Sequence, residues 1–240
     1  ILMAHGNTVH GGRKIDPNLS SMPVVYYHPI SGVGDAFAFL YFPKKVASIG
    51  LGAGSILYYA HPDDQWDLLE INQNVYDLAL KHFNFLSQSK AHYRLRIGDG
   101  RLLMQQSQKS KEFYDLIVLD AFSSDSIPFH LLTREAFELY LGRLNPGGVI
   151  LLHLSNNYCD FLKVVAPIAR VLKTEMAYAK RQIQDQLGRS DSLWAVLSKD
   201  VRIVQNFRSE KGWETPDEAL FSLPLWTDDW QGLLSIINFL

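Results

Sequence analysis

The 240-residue chain has a single cysteine, Cys159, so no intrachain disulfide can form and a reducing, cytoplasmic setting is expected. Nothing beside Cys159 in the sequence resembles a base that would ionise it. Basic residues are not in excess: 23 Lys and Arg stand against 25 Asp and Glu, a net charge of −2. A chain without positive excess cannot neutralise a phosphate backbone, so nucleic acid is not an expected partner. There is no run of about 20 apolar residues, the length a membrane helix requires, so no membrane insertion of this chain is expected. The N-terminus lacks the charged and apolar regions of a signal peptide. It opens on Ile1 instead of methionine, and a longer parent protein is expected. Repeats and low-complexity tracts are absent. His5, His10 and His28 are separated by five and eighteen residues, which is no compact ligand motif, so no metal is expected.

What remains is an ordinary globular balance, 47% hydrophobic and 20% charged, sufficient for a full core. Residues 1–42 read as an N-terminal β appendage or lid: Gly11 to Pro23 is a loop, and Val24-Val25-Tyr26-Tyr27 is β-prone. Strand alternation through those last residues would turn Tyr27, not Tyr26, toward a cleft. Residues 43–240 read as one nucleoside-binding catalytic domain. Strand-like runs at 46–49, 66–69, 93–97 (alternating), 114–119 and 149–154 are separated by helix-length patterns at 54–60, 72–85, 100–106, 130–143 and 159–173. Two more strand-like runs follow, at 174–181 and 192–198. Strand–helix alternation predicts a parallel α/β sheet covered on both faces. Such sheets bind ligands just beyond the carboxyl ends of their strands.

Chemistry-bearing residues stand at those positions. The first run ends in Gly50-Leu51-Gly52-Ala53-Gly54-Ser55, where glycines let the backbone turn and approach a ligand. A dinucleotide fingerprint needs a glycine where Ser55 stands. The second run ends in Glu70, suited to holding two ribose hydroxyls. The third ends in Gly98-Asp99-Gly100, an acid placed to accept from an adenine amino group. The fourth ends in Asp120, with Asp125 five residues on, carboxylates that could bind an amine or take its proton. Singly, each also reads as a turn or a helix cap; three strand ends in succession are far more specific. Asp228 and Asp229, between Trp226 and Trp230, could close over a cationic substrate. His153 reads as a buried, satisfied histidine.

The segments Gly50–Gly54, Leu69–Asn72, Ile97–Arg101, Tyr114–Asp120 and Leu144–Gly148 resemble the spermidine synthase (polyamine aminopropyltransferase) family over roughly residues 24–155. His5–Gly11, Tyr26–Pro29, Asp120–Asp125 and Trp226–Asp229 further resemble the spermidine-synthase-like domains often fused to membrane segments. The resemblance implies a Rossmann-like, class I S-adenosylmethionine-dependent methyltransferase fold, a mostly parallel seven-stranded sheet with helices on both faces, plus a small N-terminal β region. It implies decarboxylated S-adenosylmethionine, or S-adenosylmethionine, as co-substrate without metal, a small amine such as putrescine as acceptor, and a homodimer. Gly50, Gly52, Gly54, Glu70, Asp99 and Gly100 would hold the nucleoside. Asp120 would deprotonate the amine with Tyr27 and Asp125 beside it, and His28, Asp228 and Asp229 would bind substrate.

The departures concern the amine half. Family aminopropyltransferases usually carry an aspartate where this chain has Ala53; its absence removes a charge-assisted contact worth about 1.5–3 kcal/mol. The family's Tyr-Gln pair appears as Tyr27-His28, and Asp125 lies five residues after Asp120 where the family has three. A methyltransferase on the same scaffold, which Ala53 favours because an aspartate would repel the carboxylate of intact S-adenosylmethionine, and a non-catalytic nucleoside-binding module are the alternatives. A dinucleotide oxidoreductase is disfavoured by Ser55 and Asp99.

Overall fold

The structure, a computed structural model, describes residues 1–5, 8–16, 18–40, 44–109, 111–122, 127–182 and 191–237. It opens with a hairpin, β1 (Leu2–His5) and β2 (Thr8–Gly12), paired antiparallel apart from the main sheet. Helix α1 (Gly32–Phe39) leads into β3 (Lys45–Ile49), β4 (Gln65–Glu70), α2 (Gln73–His82), α3 (Phe85–Gln88), β5 (His92–Ile97) and α4 (Gly100–Lys109). Next come β6 (Tyr114–Leu119), α5 (Arg134–Leu141), β7 (Leu144–His153), α6 (Leu162–Val171), β8 (Glu175–Arg181), β9 (Ser192–Ser198) and α7 (Val201–Lys211).

The seven strands β3–β9 lie in the order β5-β4-β3-β6-β7-β9-β8. All pairings are parallel except those of β9 with β7 and with β8. This is the class I methyltransferase-like arrangement, with a small extra antiparallel sheet at the N-terminus. Strand order reverses between β3 and β6, which opens a crevice at their carboxyl ends.

Strand alternation builds two cores. Ala47, Ile49, Ile117, Leu119, Ile150 and Leu152 face α4, α5 and α6. Their neighbours Val46, Leu116, Val118, Val149 and Leu151 face the other way, onto α1 and α7. Both faces are covered, which is why these strands read as near-continuous apolar runs. Val33, Ala36 and Phe37 of α1 belong to this second core, as do Val24–Tyr27.

Local expectations are corrected at several points. Val25–Tyr27 is a 3-10 turn, with Val25 at φ 54°, and not a strand. It is fixed from outside: the Tyr59 hydroxyl donates to the Tyr27 carbonyl at 2.6 Å and both tyrosines pack into the core, which overrides β propensity. The helix expected over 130–143 starts at Arg134, where Thr133 Oγ1 accepts from the Ala136 N–H; a separate 3-10 turn spans Phe129–Leu131. The Asn145–Gly148 turn is absorbed into an irregular start of β7.

Candidate active site

Register sets the site. Gly50 N donates to Leu69 O at 2.8 Å, Gly98 N to Glu70 O at 2.9 Å and Asp120 N to Ile49 O at 2.9 Å, so the ladder continues one residue beyond each strand. Leu119 pairs with Leu152, which puts Asp120 beside His153. Asp99, Glu70, Gly50, Asp120 and His153 therefore follow one another along a single edge. Above the first four lies a cleft of about 550 Å³, a size suited to a small ligand.

The glycine bend is obligatory. Gly50 has φ 95°, and a Cβ there would lie 2.1 Å from Asp120 O. Gly52 has φ 52°, and a Cβ would lie 2.3 Å from His10 O. The second contact shows that the N-terminal hairpin rests on the bend: Ala53 N donates to His10 O at 3.1 Å. Met3, Ala4 and His10 thereby wall the cleft.

Glu70, 6% exposed, serves the bend as well as the cleft. Its Oε2 accepts from Leu51 N at 3.0 Å and its Oε1 from Asn72 N at 2.9 Å. Burial pushes its pKa up, and the backbone donors, Asn72 first, only partly offset this. Asp99 Oδ1 caps α4 by accepting from Leu102 N at 2.9 Å, while Oδ2 lies 2.7 Å from His130 Nε2. Desolvation works against the Asp99 charge, but the Leu102 N–H and His130 outweigh it and hold the carboxyl below its ordinary range. Each carboxylate lines the cleft and has acceptor capacity beyond these bonds. Gly100 lines the same wall; Gly54 takes up a left-handed turn behind it at φ 78°.

Asp120 forms the floor. The Tyr27 hydroxyl donates to Oδ2, and His153 Nδ1 lies 2.7 Å from Oδ1. Burial first, then the nearby Asp120 charge, pushes the Tyr27 phenol well above its ordinary pKa, so it stays a donor. The tyrosine expectation is corrected in part. Tyr26 lines the cleft and Tyr27 is buried beneath it, because a 3-10 turn does not alternate sides as a strand does.

Other expected residues fall elsewhere. Asp228 Oδ1 and Oδ2 accept from Arg101 at 2.7 and 2.6 Å, and Oδ1 also accepts from Thr133. Arg101 holds its pKa down to about 2. Asp228 and Asp229 are exposed and are not among the cleft-lining residues, so closure of this pair over a cation is corrected: Asp228 is a structural clamp. His28 is also outside the lining; its Nδ1 accepts from Ile30 N at 3.3 Å. Asp125 lies outside the described residues. Ala53 is wholly buried in an apolar cluster with Phe83 and Phe85, sealed from the cleft. Among the described residues, no group of three or more His, Cys, Asp or Glu could hold a metal ion, and no helix is long and apolar enough to cross a membrane.

Sequence reasoning missed His130 and the Arg101–Asp228 clamp. It also read His153 as a satisfied buried histidine without seeing its partner. His153 stands directly after the apolar run Val149–Leu152 at a strand tip, one strand over from Asp120, and that adjacency was the available signal.

Comparison with known proteins bears on the family and the fold. The chain is 34% identical over 111 residues to the polyamine aminopropyltransferase of Vibrio vulnificus, covering 45% of this chain and 36% of that protein. It is 30% identical over 145 residues to putrescine N-methyltransferase 2 of Nicotiana tabacum, covering 57% and 40%. The chain thus spans well under half the length of these curated relatives. A probable spermidine synthase from Corynebacterium glutamicum superposes with a TM-score of 0.65 at 16% identity, over 97% of this chain and 94% of that one. Human methyltransferase-like protein 13, solved with SAH, gives 0.53 at 19% identity, over 82% and 93%. These structural likenesses speak for the fold. The spermine/spermidine synthase domain model matches residues 27–179, well over half of the sequence, and the chain belongs to that family.

Proposed function

We propose that the chain transfers an aminopropyl group from decarboxylated S-adenosylmethionine to a small amine such as putrescine, with Asp120 as the base. The supporting observation is the row of three carboxylates, Asp99, Glu70 and Asp120, along one cleft with a glycine bend between the last two. In this reading Asp99 accepts from the adenine amino group and Glu70 from the ribose hydroxyls. The donor's tail then runs over Gly50 toward Asp120.

The donor supplies a carbon activated by a sulfonium. The amine lone pair forms the new C–N bond as the C–S bond breaks, methylthioadenosine leaves, and the ammonium proton goes to Asp120. Holding both partners in line lowers the barrier by removing their free motion. An ammonium has no lone pair, so Asp120 must orient the amine and take its proton. The division of the chain follows: residues 43–240 carry the donor and acceptor sites, and residues 1–42 wall them and mediate a homodimer. The setting proposed is the cytoplasm.

A second reading, methyl transfer from intact S-adenosylmethionine, is favoured by one observation: Ala53 is sealed under the hairpin, and the amine-binding acid of the aminopropyl family is missing from the cleft. Incubation with putrescine and either donor, followed by mass spectrometry, separates the two. Aminopropylated product with methylthioadenosine supports the first reading; methylated product with S-adenosylhomocysteine supports the second. No product, with nucleosides still binding, leaves only a binding module. An Asp120→Asn enzyme at full rate would remove Asp120 as base.

A further inference from the structure

We propose that His153 is the positioning residue of this site, fixing the rotamer of Asp120 by donating from Nδ1; the proposal rests on Asp120 being the base. His153 is 3% exposed and its ring lies between two aromatic faces, with centroids 3.9 Å from Tyr26 and 4.8 Å from Trp194, both stacked. Phe122 closes a third side at 5.1 Å. Strand pairing fixes the backbone, with His153 opposite Trp194 across β7 and β9. The ring therefore has no freedom to turn.

Hydrogen bonding then sets which nitrogen meets Asp120. Nε2 lies 2.7 Å from Ser155 Oγ, and Ser155 Oγ already accepts from Leu193 N at 2.8 Å. The Ser155 hydroxyl keeps its proton and a second lone pair, so it can pair with Nε2 in either sense, and the proton on Nδ1 is set from the other side of the ring. Asp120, ionised in its role as the base, can only accept, so Nδ1 carries the proton and donates to Oδ1, 2.7 Å away. Tyr27 donates to Oδ2 from the other side. Two donors from two elements hold the carboxylate plane, and Asp120 lines the cleft. A base must lie within about 3 Å of the proton it takes, and a misplacement of about 1 Å costs on the order of 10²-fold in rate.

Three substitutions and one spectrum test this. His153→Phe keeps a flat ring between Tyr26 and Trp194 but has no donor. It should lower kcat by roughly 10²-fold, with the methylthioadenosine dissociation constant within about twofold of wild type. His153→Asn restores a donor near the Nδ1 position and should recover most of the rate. In an Asp120→Asn background, His153→Phe should cause no further loss. Long-range ¹⁵N–¹H spectra of the free protein, with the His153 resonances identified from their absence in the variants, should show Nδ1 protonated. A bare Nδ1, a wild-type kcat in His153→Phe, or a loss in the double variant equal to the product of the single losses would overturn the proposal. The spectrum needs no activity, so it tests the clamp separately from the base; an Asp120→Asn enzyme at full rate would instead sink the assignment of the base.

Discussion

Glu70→Gln separates ligand binding from architecture. In the wild-type protein the carboxylate accepts from Leu51 N at 3.0 Å and Asn72 N at 2.9 Å, and it also faces the cleft. Glutamine keeps the shape but turns one acceptor oxygen into a donor. One backbone N–H loses its partner, at a cost of about 1–3 kcal/mol. The substitution also removes a charge that burial disfavours, as its raised pKa shows, so the net loss of stability should fall near 1 kcal/mol, or about 2–4 °C for a domain of this size. Binding has no such offset. Losing a charged acceptor for a ribose hydroxyl costs about 1.5–3 kcal/mol, or roughly 10- to 150-fold in affinity. Titration calorimetry with methylthioadenosine, alongside thermal melts, measures both. A folded Glu70→Gln protein with wild-type affinity would refute the ribose assignment. The pH dependences run in opposite directions. Because the folded pKa is raised, the folded state binds more protons, and this contribution to stability is full below the unfolded pKa and lost as pH rises through the folded one. Nucleoside affinity, which needs the ionised form, rises over that same window, displaced above the ordinary carboxylate range.

Ala53→Asp should destabilise the protein by about 3–5 kcal/mol, since it buries an unpaired charge among Phe83 and Phe85. A stable Ala53→Asp protein with tighter binding of decarboxylated donor would show that this position reaches the cleft. Gly52→Ala forces a side chain into the left-handed region, at about 1–2 kcal/mol, and against His10 O; hydrogen exchange should show the hairpin opening, and an unchanged hairpin would contradict its seating. Arg101→Ala should cost less than about 1 kcal/mol near neutral pH, because Asp228 is exposed. With the Asp228 pKa held down to about 2, that difference should vanish as pH falls through this range, and a pH-independent difference in melting temperature would argue against the pairing.

The parallel sheet and the rim that carries the candidate residues were legible because both faces are covered. Runs such as Leu116–Leu119 and Val149–Leu152 are apolar throughout, and each stops at a polar residue on the same rim. What depended on distant contacts was not legible. The residues that keep Asp228 from the cleft, Arg101 and Thr133, are 127 and 95 positions away in sequence. Val24–Tyr27 carries local β propensity, yet packing of both tyrosines and the Tyr59 contact impose a turn. The hairpin seated over the glycine bend was likewise invisible. No pattern in the glycine string says that His10, more than forty residues earlier, will lie against Gly52 and bury Ala53. His153 sits between these cases, since its strand position was readable and its partner across the sheet followed only from the register.

A crystal structure of the protein with methylthioadenosine tests the central claim most directly. The account requires the ribose hydroxyls on Glu70, the adenine amino group at Asp99 with His130 displaced, and the thioether sulfur facing Asp120 across Gly50. A nucleoside seated elsewhere, or with its sugar away from Glu70, would contradict it.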